Sequence, residues 1–269
     1  MPPQPRHHDT LLRAVFLGSG SSGNATAITD GTTTLLLDCG FSARECARRL
    51  GGSGIAADSV SAVLVTHEHR DHTTGVEVFA RRHGAPVFAT GGTLRASGLG
   101  VRLADARVVR SGETRRVGTL DVTPFRTSHD AEEPVGFRIE AACGTTLVIA
   151  TDTGVLTQET ADALEHCDIV GIECNHDAGM LDTGPYPYFL KARIRSDRGH
   201  LSNADAAAAI ARAAGPRLRA VFALHVSTTN NTPELAEQAL REQLAREGMD
   251  VPVKAARQNS ACFSEGAVP

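Results

Sequence analysis

The sequence predicts an α/β (α+β) fold, an αββα four-layer sandwich in which two β-sheets pack face to face under helices on both outer sides. Three observations predict it. The chain reads as two strand-rich halves, each followed by helices. Short β-branched runs recur along it, and several end in a residue of metal-ligand type. No Ser/Gly-rich linker or charge block marks a domain boundary, so residues 11–269 read as one domain behind a polar leader at 1–10 that carries His7 and His8. With 269 residues, 41% of them hydrophobic, the chain can bury a full core.

The first strand, Ala14 to Leu17, runs into Gly18-Ser19-Gly20-Ser21-Ser22-Gly23-Asn24. Such a turn can lay backbone N–H groups against an anion, which makes Ser21, Ser22 and Asn24 candidates for substrate contact. A tight hairpin is the simpler reading. A second strand at Ala25–Ile28 follows at once, so a dinucleotide site of the GxGxxG-then-helix kind is disfavoured. Thr34 to Gly40 is a strand that ends in Asp38, and Ser42 caps a helix through Leu50. Asp38 has two readings of equal weight: it braces a neighbouring site by hydrogen bonding, or it caps a turn or helix.

Ala62–Thr66 is a buried strand that runs into His67-Glu68-His69-Arg70-Asp71-His72. In an extended segment, side chains two apart share a face, so His67, His69 and Asp71 point together. A turn at Arg70 brings His72 in from another side. Three imidazoles and a carboxylate within six residues cannot sit on a packed apolar face without large desolvation costs. They suit divalent cations. The chain has eleven His in all, so three within six positions is not what a chance solvated loop gives. The helical HExxH motif does not apply, because the frame reads His-Glu-x-x-Asp and follows a strand.

Beyond the cluster the sequence predicts a helix at Thr74–Arg82, stopped by His83-Gly84. A strand at Pro86–Ala89 and a helix with its loop over Gly91–Gly98 follow. Short strands alternate with turns from there, at Arg107–Val109, Thr119–Phe125 and Val135–Glu140. Between the last two lies His129, in the polar loop Thr127-Ser128-His129-Asp130. The strand Thr145–Ala150 then runs out to Asp152, and Ala220–Leu224 ends at His225. Strand ends are where such sheets display function. Any one of these residues could be a cap; their repetition argues for a shared site.

Asp168–Ile172 is a strand followed by Glu173. From Tyr186 to Gly199 there are four basic residues against one acidic. Cations interleaved with aromatics suit phosphate contact and base stacking, which singles out Tyr186, Lys191, Arg193 and Arg195. A helix with a solvated basic face is the alternative. After His200 comes an alanine-rich helix, Ala204–Ala214, closed by Gly215-Pro216. Asn230 to Glu234 starts a helix through Glu247, and Val251–Ser264 holds a final strand.

Composition narrows the function classes. A net charge of −4 excludes a generic polyanion binder, so any nucleic-acid contact comes from a local basic patch. Six cysteines form no CxxC pair and no apolar signal region opens the chain, which reads as reduced thiols in a cytoplasmic protein. No run approaches the roughly 18 apolar residues of a membrane span.

Taken together, HxHxDH after a strand, a later lone His, an Asp after a further strand and a final His after another resemble the metallo-β-lactamase fold. The resemblance covers nearly the whole chain. GSGSSGN, HEHRDH, the GPYP segment, GHLSN and a late His-x-Ser followed by NN are similar to the YycJ-like (WalJ) branch, bacterial cytosolic nucleases related to ribonuclease Z. The resemblance implies two divalent metal ions, Zn or Mn, with Fe or Ni also compatible. His67, His69 and His129 would hold the first, Asp71, His72 and His225 the second, and Asp152 would bridge them. Asp71 and Asp152 thereby count as catalytic too. The resemblance further assigns leaving-group chemistry to His200, held by Glu173; without it these read as a helix-cap neighbour and a loop carboxylate.

This sequence departs from the pattern at Arg70, a position that is often small, and at Val226–Thr229, which lacks an expected Arg. What the resemblance implies is a dinuclear metal-dependent phosphodiesterase, a nuclease and in particular a DNA exonuclease, using a hydroxide held between the metals. The alternative within the fold is a hydrolase of a thioester, lactone or cyclic phosphodiester, with a closed apolar pocket. A non-catalytic metal-stabilised protein is the third reading, and seven intact ligands argue against it because a structural zinc needs four.

Overall fold

The computed structural model describes residues 12–213 and 215–264. The expected leader, with His7 and His8, lies outside the described residues, as does Ala214 at the end of the alanine-rich helix. The first half of the chain contains β1 (Arg13–Gly18), β2 (Ala25–Thr29), β3 (Thr34–Leu37), α1 (Ala43–Gly52), β4 (Val60–Leu64), α2 (Arg70–Thr73), α3 (Val76–His83), β5 (Val87–Thr90), α4 (Gly91–Ala96), α5 (Leu99–Arg102) and β6 (Ala106–Val109). The second contains β7 (Arg115–Val117), β8 (Leu120–Arg126), β9 (Val135–Ala141), β10 (Thr146–Ala150), α6 (Gln158–Leu164), β11 (Ile169–Glu173), α7 (Ala178–Thr183), α8 (Tyr188–Ile194), α9 (Asn203–Ala213), β12 (Ala220–Leu224), α10 (Pro233–Arg246), β13 (Val253–Ala255) and β14 (Cys262–Phe263).

These strands form two seven-stranded sheets, ordered β14-β1-β2-β3-β4-β5-β6 and β13-β12-β11-β10-β9-β8-β7. The expected αββα arrangement follows from strands that are apolar on both faces. In β1, Ala14 and Phe16 point into the space between the sheets, while Val15 and Leu17 point outward under α1 and α3. In β10, Leu147 and Ile149 face inward, and Val148 and Ala150 face α6, α9 and α10. Period-two alternation cannot leave such a strand exposed on either side, so each sheet needs a helical cover as well as its partner sheet. The rings of Phe16 and Phe222 meet across the gap at 4.8 Å between centroids.

The pairing sets where the strands point. β3 to β6 are parallel, and so are β10 to β13. The C-terminal ends of β3, β4, β10, β11 and β12 therefore come out at one edge of the sandwich. Hydrogen bonds join the sheets there, among them Val135 N–H to the Thr66 carbonyl at 3.0 Å and His225 N–H to the Ser19 hydroxyl at 2.8 Å.

Several expectations are adjusted. The helix expected at Thr74–Arg82 starts later, at Val76, after a separate turn of helix at Arg70–Thr73. The break falls at Gly75, whose N–H donates to the Cys39 carbonyl at 2.7 Å; a Cβ there would lie 2.3 Å from the Phe41 carbonyl oxygen. The stretch Gly91–Gly98 is a short helix with a second one after it, separated by Gly98 in the left-handed region. A helix at Gln158–Leu164, capped by the Thr157 hydroxyl, was not legible because its apolar face is only Ala163 and Leu164. The single final strand expected in Val251–Ser264 is two: β13 completes one sheet and β14 the other, so the chain end crosses over the sandwich. Among the described residues no helix is long and apolar enough to cross a membrane.

Phe222 is 2% exposed and packs on Phe16 from the opposite sheet. Phe222→Ala is expected to destabilise the protein by about 3–5 kcal/mol. Urea unfolding should show this as a lower midpoint at unchanged slope.

Candidate metal centre

The loop after β4 is built by three backbone contacts from neighbouring turns. Asn24 N–H donates to the Asp71 carbonyl at 2.8 Å, Cys39 N–H to the His72 carbonyl at 2.9 Å, and Gly40 N–H to the Asn24 carbonyl at 2.9 Å. A Cβ on Gly40 would sit 1.7 Å from the Asp71 carbonyl oxygen, so only glycine lets these turns close on each other. Arg70 starts the short helix α2, and this carries Asp71 and His72 back toward His67. The turn foreseen at Arg70 is this helix.

Three residues that end strands at this edge, Asp38, Asp152 and His225, have φ of 57°, 54° and 51°. Non-glycine residues adopt that left-handed conformation at a cost of about 1 kcal/mol or more each. Here the kink turns each side chain inward at the end of its strand. The result is a compact constellation. His67, His69 and His129 offer nitrogens within 4.8 Å of one another, and so do the ligand atoms of Asp71, His72 and His225. Asp152 lies between the two groups. Its Oδ2 is 3.1 Å from His72 Nε2 and 3.3 Å from His225 Nδ1, and its Oδ1 is 3.9 Å from His129 Nε2.

The hydrogen bonds behind the rings fix which nitrogens face the centre. Thr66 Oγ1 donates to Asp38 Oδ2 at 3.0 Å and accepts from His67 Nδ1–H at 3.0 Å. His67 Nε2 is left buried with no hydrogen-bond partner. His129 Nδ1–H donates to the Gly199 carbonyl at 3.0 Å, which turns its Nε2 to within 3.3 Å of His69 Nδ1. His225 Nδ1 is also buried, and the acceptor facing it is Asp152 Oδ2 at 3.3 Å. Orphaned buried imidazole nitrogens aimed at a carboxylate are costly unless an electrophile meets them. These buried His and Asp clusters fit a metal-binding site of nitrogen and oxygen donors.

Asp38 resolves as a brace. Its Oδ2 accepts from His72 Nδ1–H at 2.7 Å and its Oδ1 from Thr66 N–H at 2.9 Å. Burial lowers the pKa of His72, but Asp38 and Asp152 on its two sides outweigh this and hold it well above the usual imidazole value. His67 goes the other way: burial, and then His72, keep it neutral. Burial raises the pKa of Asp152, yet His225 and His72 hold it well below the usual carboxylate range. His200 donates from Nδ1 to Glu173 Oε1 at 2.6 Å and lies 3.6 Å from Asp152 Oδ1. Burial disfavours its charged form, and the Glu173 carboxylate and that hydrogen bond overcome this, with Asp152 and Asp130 adding to the effect; the pKa is pushed up to about 9. The other Glu173 oxygen accepts from Thr153 N–H at 2.8 Å.

The remaining candidates separate. Ser21, Tyr186 and Arg193 line a cleft of about 220 Å3 beside His129 and His200. Asn24 does not reach it: the residue is buried, and its side-chain amide contacts Asp71 and His72 from below. Ser22 is exposed and its N–H is held by Gln258. Lys191 donates to the Asp182 carbonyl at 2.8 Å, and Arg195 pairs with the Asp182 carboxylate and borders a different cavity. Glu68 accepts from Glu132 N–H at 2.7 Å. Sequence reasoning passed over Thr66, the Gly199 carbonyl and Asp130, which sits 3.3 Å from His129 Nε2 and pairs with Arg193. The one available signal was adjacency, since Thr66 precedes His67 and Asp130 follows His129.

Asp38→Ala would strand His72 Nδ1–H and Thr66 N–H without replacing a predicted ligand. Loss of such a bracing carboxylate is expected to weaken metal affinity by about 10–100-fold. Metal titration of the folded variant checks this.

A family model described as a β-lactamase superfamily domain matches residues 33–225. An exodeoxyribonuclease WalJ of Streptococcus pneumoniae serotype 2 (strain D39) is 37% identical over 243 residues, covering 88% of this chain and 90% of that protein. An exodeoxyribonuclease YycJ of Bacillus anthracis is 34% identical over 243 residues, covering 89% and 92%. The crystal structure of the metallo-β-lactamase fold protein YhfI from Bacillus subtilis superposes with a TM-score of 0.71 at 16% identity, covering 94% of this chain and 99% of that one. The last likeness bears on the fold alone, which it shares. Matched over residues 33–225 by the domain model and along nearly the whole length of the WalJ and YycJ proteins, this chain belongs to the β-lactamase superfamily, in the branch that holds those exodeoxyribonucleases.

Proposed function

We propose that this protein is a metal-dependent exodeoxyribonuclease with a dinuclear centre. The observation that carries the reading is the convergence of seven ligand-type side chains from separate elements on one edge, with His67 Nε2 buried and unpartnered. His67, His69 and His129 would hold one divalent cation, Asp71, His72 and His225 a second, and Asp152 would contact both. Zinc or manganese suits this imidazole and carboxylate set best, and iron or nickel is also compatible. Such a pair of cations supplies Lewis acidity that activates water and stabilises charge on a phosphodiester.

The chain's own residues supply the rest. His200, protonated at neutral pH, stands at the cleft and would donate its proton to the departing oxygen. Glu173 orients that imidazolium and favours its charge. Arg193 and Tyr186 line the same cleft and would contact the phosphate and the sugar or base. Polar side chains make up much of that lining, including Asp130, Asn175 and Arg198, which argues against the closed apolar pocket of a thioester or lactone hydrolase.

His67→Ala or Asp152→Ala is expected to abolish hydrolysis of DNA and of bis(p-nitrophenyl) phosphate in a protein that remains folded. Retained turnover in either variant would sink the ligand assignment. His200→Ala should slow DNA hydrolysis by about 10²–10⁴-fold at unchanged metal stoichiometry. The sign of the pH effect follows from the raised pKa: the acid form of His200 is lost as pH rises through the alkaline range. Glu173→Gln removes the charge that raises it, so the alkaline limb of kcat should move to lower pH. A limb that stays in place in Glu173→Gln would assign the proton to another group.

A further inference from the structure

The chain is poor in aromatics, with nine Phe, two Tyr and no Trp. Seven of the phenylalanines are buried. Two rings stand out against that economy: Tyr188 is 86% exposed and Phe189 is 73% exposed. They are adjacent, and they open α8, the helix whose other face forms part of the catalytic cleft. Folding does not account for them, because neither ring is covered by any other part of the described chain.

Their placement is specific. α8 is anchored by Ile194, which is buried, and by Leu190 and Arg193, which line the cleft with His129 and His200. Phe189 lies one helical turn before Arg193, so its Cβ is about 5–6 Å from that of a cleft-lining cation. Pro187 caps the helix with its carbonyl accepting from Leu190 and Lys191 N–H at 3.0 and 3.1 Å, which holds the first turn in place. Lys191, Arg193, Arg195 and Arg198 follow within ten residues of Tyr188. Arg193 pairs with Asp130 beside the cleft, while Lys191 and Arg195 are held by Asp182.

We infer that Tyr188 and Phe189 form a stacking platform for unpaired nucleotides of the strand whose end occupies the cleft, so that DNA is engaged through a single-stranded tail. The inference rests on the exonuclease reading of the cleft. Rings alternating with cations provide base-stacking faces and phosphate contacts in turn. A stable protein interface would instead have an apolar centre depleted of charge. Bases inside a duplex present no free face to a ring and only the terminal pair does, whereas every base of a single strand can stack. A stacked base one turn of helix away would hold the strand in line with Arg193 and the metal ligands beyond it.

The test compares fluorescently labelled oligonucleotides in EDTA, where no turnover occurs: a single strand, a duplex with single-stranded tails, and a blunt duplex. Wild type is expected to bind the tailed and single-stranded forms more tightly than the blunt one. Tyr188→Ala with Phe189→Ala should weaken tail binding roughly tenfold or more while changing blunt-duplex binding less than about twofold. Tyr188→Phe with Phe189→Trp should restore it. Equal affinity of wild type for tailed and blunt DNA, or a double alanine variant that keeps its tail affinity, overturns the platform. Metal-loaded turnover of bis(p-nitrophenyl) phosphate, which carries no flanking nucleotides to extend beyond the cleft, should be unchanged in the alanine variant. Failure of wild type to hydrolyse DNA would count against the exonuclease reading, whereas the binding comparison scores the platform by itself.

Discussion

The site depends on burying several carboxylates together and holding positive charge between them. Asp38 approaches His72 from the end of β3 and Asp152 approaches it from the end of β10, at 2.7 and 3.1 Å, so one imidazole joins the two sheets. His72 is fully buried, and an uncompensated charge there would be prohibitive. Asp38 and Asp152 raise the pKa of His72 well above the usual imidazole value, and His225 and His72 lower that of Asp152. Protons and metal ions compete for this same set of atoms, so cation binding is expected to release protons. Neutral His67, with its Nε2 free, is on the side of the set that needs no deprotonation to bind.

That arrangement also explains the strained backbone. Parallel strands deliver their ends to one edge but leave the next side chain pointing along the sheet. A left-handed residue at Asp38, Asp152 and His225 redirects each side chain toward the gap between the sheets. Strain of this kind persists only where surroundings over-determine it. Here the surroundings are named contacts: Asp38 N–H to the Leu64 carbonyl at 2.8 Å, His225 N–H to Ser19 Oγ at 2.8 Å, and the Asp152 carboxylate among three imidazoles.

Much of this was legible in the sequence because the same device repeats. A β-branched run ending in His or Asp predicts both the strand and what it presents, and β4, β10 and β12 were read that way with their ends placed correctly to within a residue or two. The roles that needed distance information were not legible. Asp38 had two equal readings until its carboxylate was found on His72 and Thr66. Asn24 was grouped with Ser21 as a surface contact because a glycine-rich turn does not say which side chain folds inward. The basic segment was read as one unit, yet packing of α8 turns Arg193 toward the cleft and leaves Arg195 on the far side with Asp182. Short helices such as α6 and α7 bury too few residues to leave a periodic signature.

The segment carrying α7 and α8 is more than a border to the cleft, because its end reaches into the centre. The Gly199 carbonyl orients His129, the next residue is His200, and Leu201 N–H points at Glu173 from 3.5 Å. Gly199 N–H in turn donates to the Ser196 carbonyl and His200 N–H to that of Ile194, both within the turn that ends α8. The helix lining the cleft and the residues that orient His129 and His200 thus form one continuous unit. A shift of α8 cannot move the cleft wall without also moving the carbonyl that sets the His129 ring. The geometry of the cleft wall and the orientation of the His129 and His200 rings are therefore linked through five residues, Arg195 to Gly199, between the end of the helix and His200.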